Sequence, residues 1–86
     1  EEGKIGFVNK LYEKMRDRAH KRYNFFEFDG HYKFGYHGEC FYFSISPDTE
    51  VSDVDLMDIV KELKKYVTIT ISEDLSRMET KVRVAW

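Results

Sequence analysis

Residues 23–43 decide the fold, and they read YNFFEFDGHYKFGYHGECFYF. They hold ten of the fourteen aromatic residues in this 86-residue chain. Such a ribbon is typical of β-strands, in which aromatic side chains are enriched and successive residues face opposite sides. Asp29-Gly30 has the signature of a two-residue hairpin turn, and His37-Gly38 or Gly38-Glu39 marks a second reversal. The pattern predicts strands at about 23–28, 31–37 and 40–46.

The second and third predicted strands each separate an apolar face from a mixed one. The apolar sets are Tyr32, Phe34 and Tyr36 in the second strand, and Phe41, Phe43 and Ile45 in the third. We expect these sets to face the core, which leaves Phe25, Tyr42 and Tyr23 facing outward. An aromatic ring on a solvated strand face can bind protein or nucleic-acid bases. The ribbon therefore predicts both a sheet and a contact surface.

Helical periodicity flanks the ribbon on both sides. Apolar residues at spacings of three and four predict an amphipathic helix over residues 4–22. Its predicted stripe is Ile5, Val8, Tyr12, Met15 and Ala19, flanked by Phe7 and Leu11. A second helix is predicted over about 53–66, with Ser52 as N-cap and Asp55 in the place of a capping-box partner. Its stripe is Leu56, Ile59, Val60, Leu63 and Val67.

The C-terminal segment alternates apolar and polar residues, which predicts two strands at about 67–72 and 77–86. The residues Ser46-Pro47-Asp48-Thr49 predict a turn before the second helix. The predicted element order is therefore α-β-β-β-α-β-β. We expect a single α+β domain over residues 1–86, with an antiparallel sheet of about five strands. Two helices packed on one face of that sheet would bury every apolar stripe.

The net charge of −2 conceals an uneven distribution of charge. Residues 4–22 hold seven basic and two acidic residues, whereas residues 23–60 hold one basic and eight acidic residues. Such a separation can orient a protein against a charged partner. No apolar run reaches the roughly 18–20 residues that span a bilayer, and the first residues show no signal-peptide pattern. With the single Cys40, these features favour a cytoplasmic protein without membrane contact.

The cluster of His31, His37 and Cys40 along the ribbon suggests a metal site or a nucleophile. His31 and His37 would lie about 20 Å apart on one strand, too far to share an ion. His37 and Cys40 straddle a turn but supply only two ligands, and a structural zinc site needs four. A Cys40–His37 nucleophile pair would need a pocket and a stabilised thiolate. We therefore expect no metal, no cofactor and no enzymatic activity.

The acidic segment before and within the second helix is the first candidate contact surface. Acids at a helix N-terminus are favoured by the helix dipole, which accounts for part of the cluster. The cluster can also meet Lys or Arg side chains of a partner. Our leading hypothesis is a small non-catalytic protein-binding module, such as a phage-type inhibitor or modulator of a larger macromolecular machine. Its predicted contact residues are Phe25, Tyr42, Asp48, Glu50, Asp53, Asp55 and Asp58.

The alternative hypothesis is nucleic-acid binding through the basic first helix and exposed strand aromatics. Its predicted residues are Lys14, Arg18, Lys21, Arg22 and Lys33, with Tyr42 stacking on a base. The order α-β-β-β-α is also that of double-stranded-RNA-binding domains, but those have a basic start to the second helix, and here that start is acidic. A third hypothesis is a homo-oligomer formed through the sheet face or an edge strand.

Overall fold

The two amphipathic segments form helices that cover one face of a five-stranded antiparallel sheet. The computed structural model describes the backbone of residues 2–35, 38–46 and 49–86 and the side chains of residues 3–34, 41–46 and 49–86. The elements are α1 (Glu2–His20), β1 (Phe25–Gly35), β2 (Gly38–Ser46), β3 (Thr49–Ser52), α2 (Asp53–Leu63), β4 (Thr68–Asp74) and β5 (Glu79–Ala85). The strands lie in the order β3-β2-β1-β5-β4. The predicted α+β class and the predicted element order are confirmed.

Both helices bury apolar side chains against the same face of the sheet. The core consists of Phe7 and Leu11 from α1, Leu56, Ile59, Val60 and Leu63 from α2, and Phe26, Phe28, Phe43, Val51, Val82 and Val84 from the sheet. The Phe28 ring packs edge-to-face on Phe7 and on Phe43, with centroids 5.5 Å and 6.3 Å away. Burial of each such side chain stabilises the fold by about 1.5–3 kcal/mol.

The buried stripe of α1 is displaced from the predicted one. Ile5, Tyr12 and Ala19 were expected in the core but are exposed, whereas Phe7 and Leu11 are fully buried. The N-terminal half of α1 is apolar over a wide arc, so more than one stripe fits the helical period. Tertiary packing decides between them, because Phe7 has an aromatic partner in Phe28.

The start of α2 follows from its capping residue. Ser52 is the N-cap, and its Oγ accepts a hydrogen bond from the Asp55 backbone N–H at 3.4 Å. This pairing satisfies one of the N–H groups that a helix leaves open at its first turn. The predicted cap is confirmed. The helix ends at Leu63, earlier than predicted, and the residues after it form a turn into β4.

The predicted hairpin turn at Asp29-Gly30 is wrong, because β1 passes through it without a break. Gly30 lies opposite Phe43 in the register of β1 and β2. A Cβ at residue 30 would overlap the Phe43 ring, so the glycine serves close packing rather than chain reversal. The strand missing from the prediction is β3, which follows the predicted turn. Pro47 and Asp48 of that turn lie outside the described residues.

The helix-facing side of the sheet extends past the helices at one end. Phe43 is buried and Phe41 and Ile45 pack against the core, as predicted. Tyr32 and Phe34 lie on the same side of β1 but are exposed, with 79% of the Phe34 surface accessible. The prediction that these two rings face the core is therefore wrong. They lie beyond Gly30, and every residue of β1 from 31 to 34 is exposed. The third predicted member, Tyr36, is outside the described residues.

Candidate functional site

Both helices finish at the same end of the sheet, beside the ends of its strands. α1 leads into β1 through a turn in which the Tyr23 N–H donates to the Arg18 carbonyl at 2.9 Å. α2 leads into β4 through a turn in which the Val67 N–H donates to the Leu63 carbonyl at 3.0 Å. Phe25 at the start of β1 pairs with Ala85 at the end of β5, and Ala85 pairs with Thr68 at the start of β4. The fold therefore gathers two helix C-termini and three strand ends in one place.

This end of the sheet brings together cations and aromatic rings from segments that are distant in sequence. We call it the basic end, and it comprises Arg18, Lys21, Arg22, Lys64, Lys65 and Arg83 with the rings of Tyr23, Phe25, Tyr66 and Trp86. The negative end of each helix dipole favours one or two cations beside it. The dipoles do not account for the exposed rings, since large apolar groups gain nothing from them.

Four of the six cations of the basic end have no acidic partner in the described part of the chain. Within the described residues, no ion pair involves Arg18, Lys21, Arg22 or Lys64, and all four side chains are exposed. Lys65 contacts Glu62 at 3.1 Å and Arg83 contacts Glu27 at 4.0 Å. Both of these pairs are on the surface, where an ion pair contributes only about 0–1 kcal/mol. The Lys65 and Arg83 cations can therefore exchange their carboxylate partners for another anion.

Two of the four rings of the basic end, Tyr23 and Phe25, contact neighbouring guanidinium groups and each other. The Arg18 guanidinium lies 5.3 Å from the Tyr23 centroid, and the Arg83 guanidinium lies 4.0 Å from that of Phe25. Tyr23 and Phe25 meet edge-to-face at 6.1 Å. Tyr66 is the most exposed ring at 79%, and Trp86 is exposed as well. Cation–π pairs of this kind keep both charge and ring at the surface.

Two cavities include residues of the basic end. The smaller, about 400 Å³, is lined by Lys64, Lys65, Tyr66, Val67, Thr68, Ala85 and Trp86. The larger, about 610 Å³, includes Lys14, Arg18, Lys21 and Tyr23 but also Asp17, Glu27 and Asp29. Asn24 follows Tyr23, and its carbonyl accepts the Trp86 N–H at 2.9 Å. Lysines are the only charged side chains among the residues that line the smaller cavity, so it is the better candidate for an anionic ligand.

The prediction that Tyr42 is exposed is wrong, because this residue is only 6% accessible. Tyr42 lies on the sheet face away from the helices, as predicted, but side chains from both neighbouring strands cover it. Lys33 of β1 and Glu50 of β3 form a 2.6 Å ion pair, and the Lys33 ammonium lies 5.2 Å from the Tyr42 centroid. Tyr42 can therefore serve neither as a protein contact nor as a base-stacking ring without displacement of this bridge.

The predicted acidic surface is divided among intramolecular roles. Glu50 pairs with Lys33, and Asp58 pairs with Lys4 at 3.3 Å. Asp53 and Asp55 are half-buried in the first turn of α2, where the helix dipole favours them. Asp48 lies outside the described residues. Phe25 is half-buried beneath the Arg83 guanidinium.

The structure separates the five residues predicted for nucleic-acid binding. Arg18, Lys21 and Arg22 belong to the basic end, and Lys14 lines its larger cavity. Lys33 does not join them, since it is tied to Glu50 on the other half of β1. Sequence analysis missed Lys64, Lys65, Tyr66 and Trp86. The local signal was the sequence Lys64-Lys65-Tyr66 at the end of the second predicted helix, because the tyrosine does not belong to the apolar stripe of that helix.

Comparison with known proteins adds no functional assignment. No protein-family model, curated protein or solved structure matches the chain. Among the described residues, no group of three or more His, Cys, Asp and Glu side chains could hold a metal ion. His37 and the side chain of Cys40 lie outside those residues. No helix in the described part of the chain is long and apolar enough to cross a bilayer.

Proposed function

We propose that the protein is a small non-catalytic binding module that holds single-stranded nucleic acid at its basic end. The observation that carries this proposal is the smaller cavity, where exposed Tyr66 and Trp86 share one depression with Lys64 and Lys65. Proteins that bind single strands combine cations for the phosphates with aromatic rings for the bases. With one cysteine in the sequence, we propose the cytoplasm as its location.

The exposed rings favour a single strand over a duplex. In a duplex each base is already stacked on its neighbours, so an aromatic side chain gains little from it. Unpaired bases can stack on Tyr or Trp, and each such contact contributes about 1–3 kcal/mol. Tyr66 lies two residues before Thr68, and Trp86 follows Ala85, which lies opposite Thr68, so a strand laid across Thr68 would meet both rings.

The net charge of −2 is compatible with this proposal because the charges are separated in space. Asp53 and Asp55 lie at the start of α2, and the rise of the helix places them about 12–15 Å from its last residue, Leu63. That distance exceeds the screening length of about 8 Å at physiological salt. A phosphate at the basic end is therefore attracted by nearby lysines more than it is repelled by those acids.

Titration with a fluorescent oligonucleotide tests the proposal. We expect a strand of about 12 nucleotides to bind with an affinity that falls as salt rises, with a slope near −0.7 for each phosphate contacted. About four contacts would weaken binding by about 50-fold between roughly 50 and 200 mM salt. Trp86 is the sole tryptophan, so stacking should also quench the intrinsic fluorescence.

A duplex of the same sequence serves as the matched control and should bind more weakly. Salt-independent binding, or binding that leaves Trp86 fluorescence unchanged, would contradict the proposed site. Tighter binding to the duplex would contradict the role of the rings.

A second candidate function is protein binding at the opposite end of the sheet, as an inhibitor or modulator of a larger assembly. Tyr32 and Phe34 are exposed there beside Leu75 and Met78, which are also exposed. The Tyr32 N–H donates to the Met78 carbonyl at 3.3 Å, so the two segments are adjacent. We call these four residues the hairpin end. Clustered apolar side chains on the surface of a small domain mark protein contacts.

A nuclease-treated pull-down separates the two candidates. If the hairpin end binds protein, a partner retained by the native chain should be lost with Phe34→Ser and kept with Tyr66→Ser. Both rings are equally exposed, so the two variants are matched in the surface they remove. A partner lost equally with both variants would count against the hairpin end.

A further inference from the structure

We propose that two copies of this chain associate through β4, joining their sheets edge to edge with the β4 strands antiparallel. The proposal concerns the open edge of the sheet at β4, which adjoins the nucleic-acid site at Lys64, Lys65 and Thr68, and it stands on the construction of the two sheet edges. An unpaired edge strand presents backbone N–H and C=O groups that another strand can bind. Soluble proteins therefore shield their edges or use them for association.

The edge at β3 is shielded in three ways. β3 has four residues, and its pairing with β2 shifts register between Ser44 and Ser46. The N-terminal part of α1 lies against it, with Gly3 close to the Glu50 carbonyl. Short length, an irregular register and a covering helix each prevent a second strand from pairing.

The edge at β4 has none of these features. β4 spans seven residues and pairs with β5 along its whole length without a register shift. Within the described residues β5 is its only neighbour in the sheet. The segment 68–72 reads TITIS, with no proline, glycine or charge to discourage pairing. The strand is therefore a regular, open edge.

The sequence of β4 is complementary to itself when two copies pair about Thr70. Each Ile69 then lies opposite the other copy's Ile71, and Thr70 lies opposite its own counterpart. Residues directly opposite in an antiparallel pair share a face, so the isoleucines meet on the helix-facing side and the hydroxyls on the other. Ile71 is exposed in the single chain, and this pairing would cover it.

The charges at the two ends of β4 also suit a second copy better than an unrelated strand. β4 ends in Glu73 and Asp74, and Lys64 and Lys65 lie just before it. Antiparallel pairing brings the acidic end of one strand to the basic start of the other. No like charges then face each other within the paired segment. Because the same lysines serve the proposed nucleic-acid site, the association is measured without nucleic acid.

Sedimentation over a wide concentration range tests this inference. We expect the native chain to show a monomer–dimer equilibrium. Thr70→Lys should weaken dimerisation by at least about tenfold, because two like charges would meet at the symmetry axis. Thr70→Glu should do the same, and an equal mixture of the two variants should restore the dimer. Thr70 is exposed, so neither substitution should alter the fold of the monomer, as checked by circular dichroism.

A native chain that stays monomeric at every concentration would overturn the proposal. So would a dimer that survives Thr70→Lys, since it would use another surface. A mixture that remains monomeric would overturn the pairing about Thr70.

Discussion

Phe28→Ala should lower the free energy of unfolding by about 3–5 kcal/mol. The side chain is 6% exposed, and its ring contacts Phe7 of α1 and Phe43 of β2. Its removal leaves a cavity between helix and sheet and breaks two edge-to-face pairs. A domain of this size has a total stability of about 5–15 kcal/mol, so the variant should be marginally folded. Urea denaturation followed by circular dichroism measures the change.

Phe34→Ala is the matched control, because both residues lie on the same face of β1. With 79% of its surface accessible, Phe34 has little burial to lose, and we expect a change within about 0.5 kcal/mol. The two variants delete the same atoms from the same strand. Equal effects, or a larger effect at Phe34, would show that the helices cover the other end of β1.

Much of this fold follows from patterns within single segments of the sequence. The alternation in β5 and the apolar stripe of α2 can each be predicted from the periodicity of one segment. The role of Ser52 as N-cap can be predicted from its side chain and the first turn of the helix that follows it. Gly30 could not be assigned in this way. The pair Asp29-Gly30 has the same local signature whether the glycine reverses the chain or makes room for a ring. Only the approach of Phe43 from β2 distinguishes the two.

The candidate sites depend more on topology than on local pattern. Alternation correctly put Tyr42 on the outer face, but the Lys33–Glu50 ion pair beside it joins side chains of two other strands, which alternation within β2 does not reveal. The basic end likewise requires both helices to finish beside the start of β1. This holds because β5 lies between β1 and β4, an order that no single segment encodes. The exposed Tyr66 gained a functional interpretation only once Trp86 was placed beside it.

Charge reversal at the basic end should abolish most nucleic-acid binding without harm to the fold. We expect the double variant Lys21→Glu/Lys64→Glu to bind the single strand about 100-fold more weakly at low salt, with a salt slope flatter by about 1–2. Both lysines are exposed and without an ion pair among the described residues, so stability should change little. Fluorescence titration at several salt concentrations measures affinity and slope together.

The control variant Arg77→Glu/Lys81→Glu changes the net charge by the same amount at a different place. Arg77 lies in the turn between β4 and β5. Lys81 lies in the middle of β5, opposite Asp29 of β1 and Ser72 of β4 in the strand register. Since salt screens charges over about 10 Å at 0.1 M, we expect only a few-fold loss from the control, about threefold. An equal loss from both double variants would mean that net charge, and not the basic end, determines binding.

Tyr66→Ala separates stacking from charge at the same site. Loss of one base–ring contact costs about 1–3 kcal/mol, which corresponds to a loss of affinity of about 5- to 150-fold. The salt slope should stay unchanged, because no cation is removed. If Tyr66→Ala altered the salt slope but left the affinity for the oligonucleotide at low salt unchanged, Tyr66 would lie outside the contact. The proposal that bases stack in the smaller cavity would then be wrong. The charge variants would still decide whether phosphates bind the helix ends.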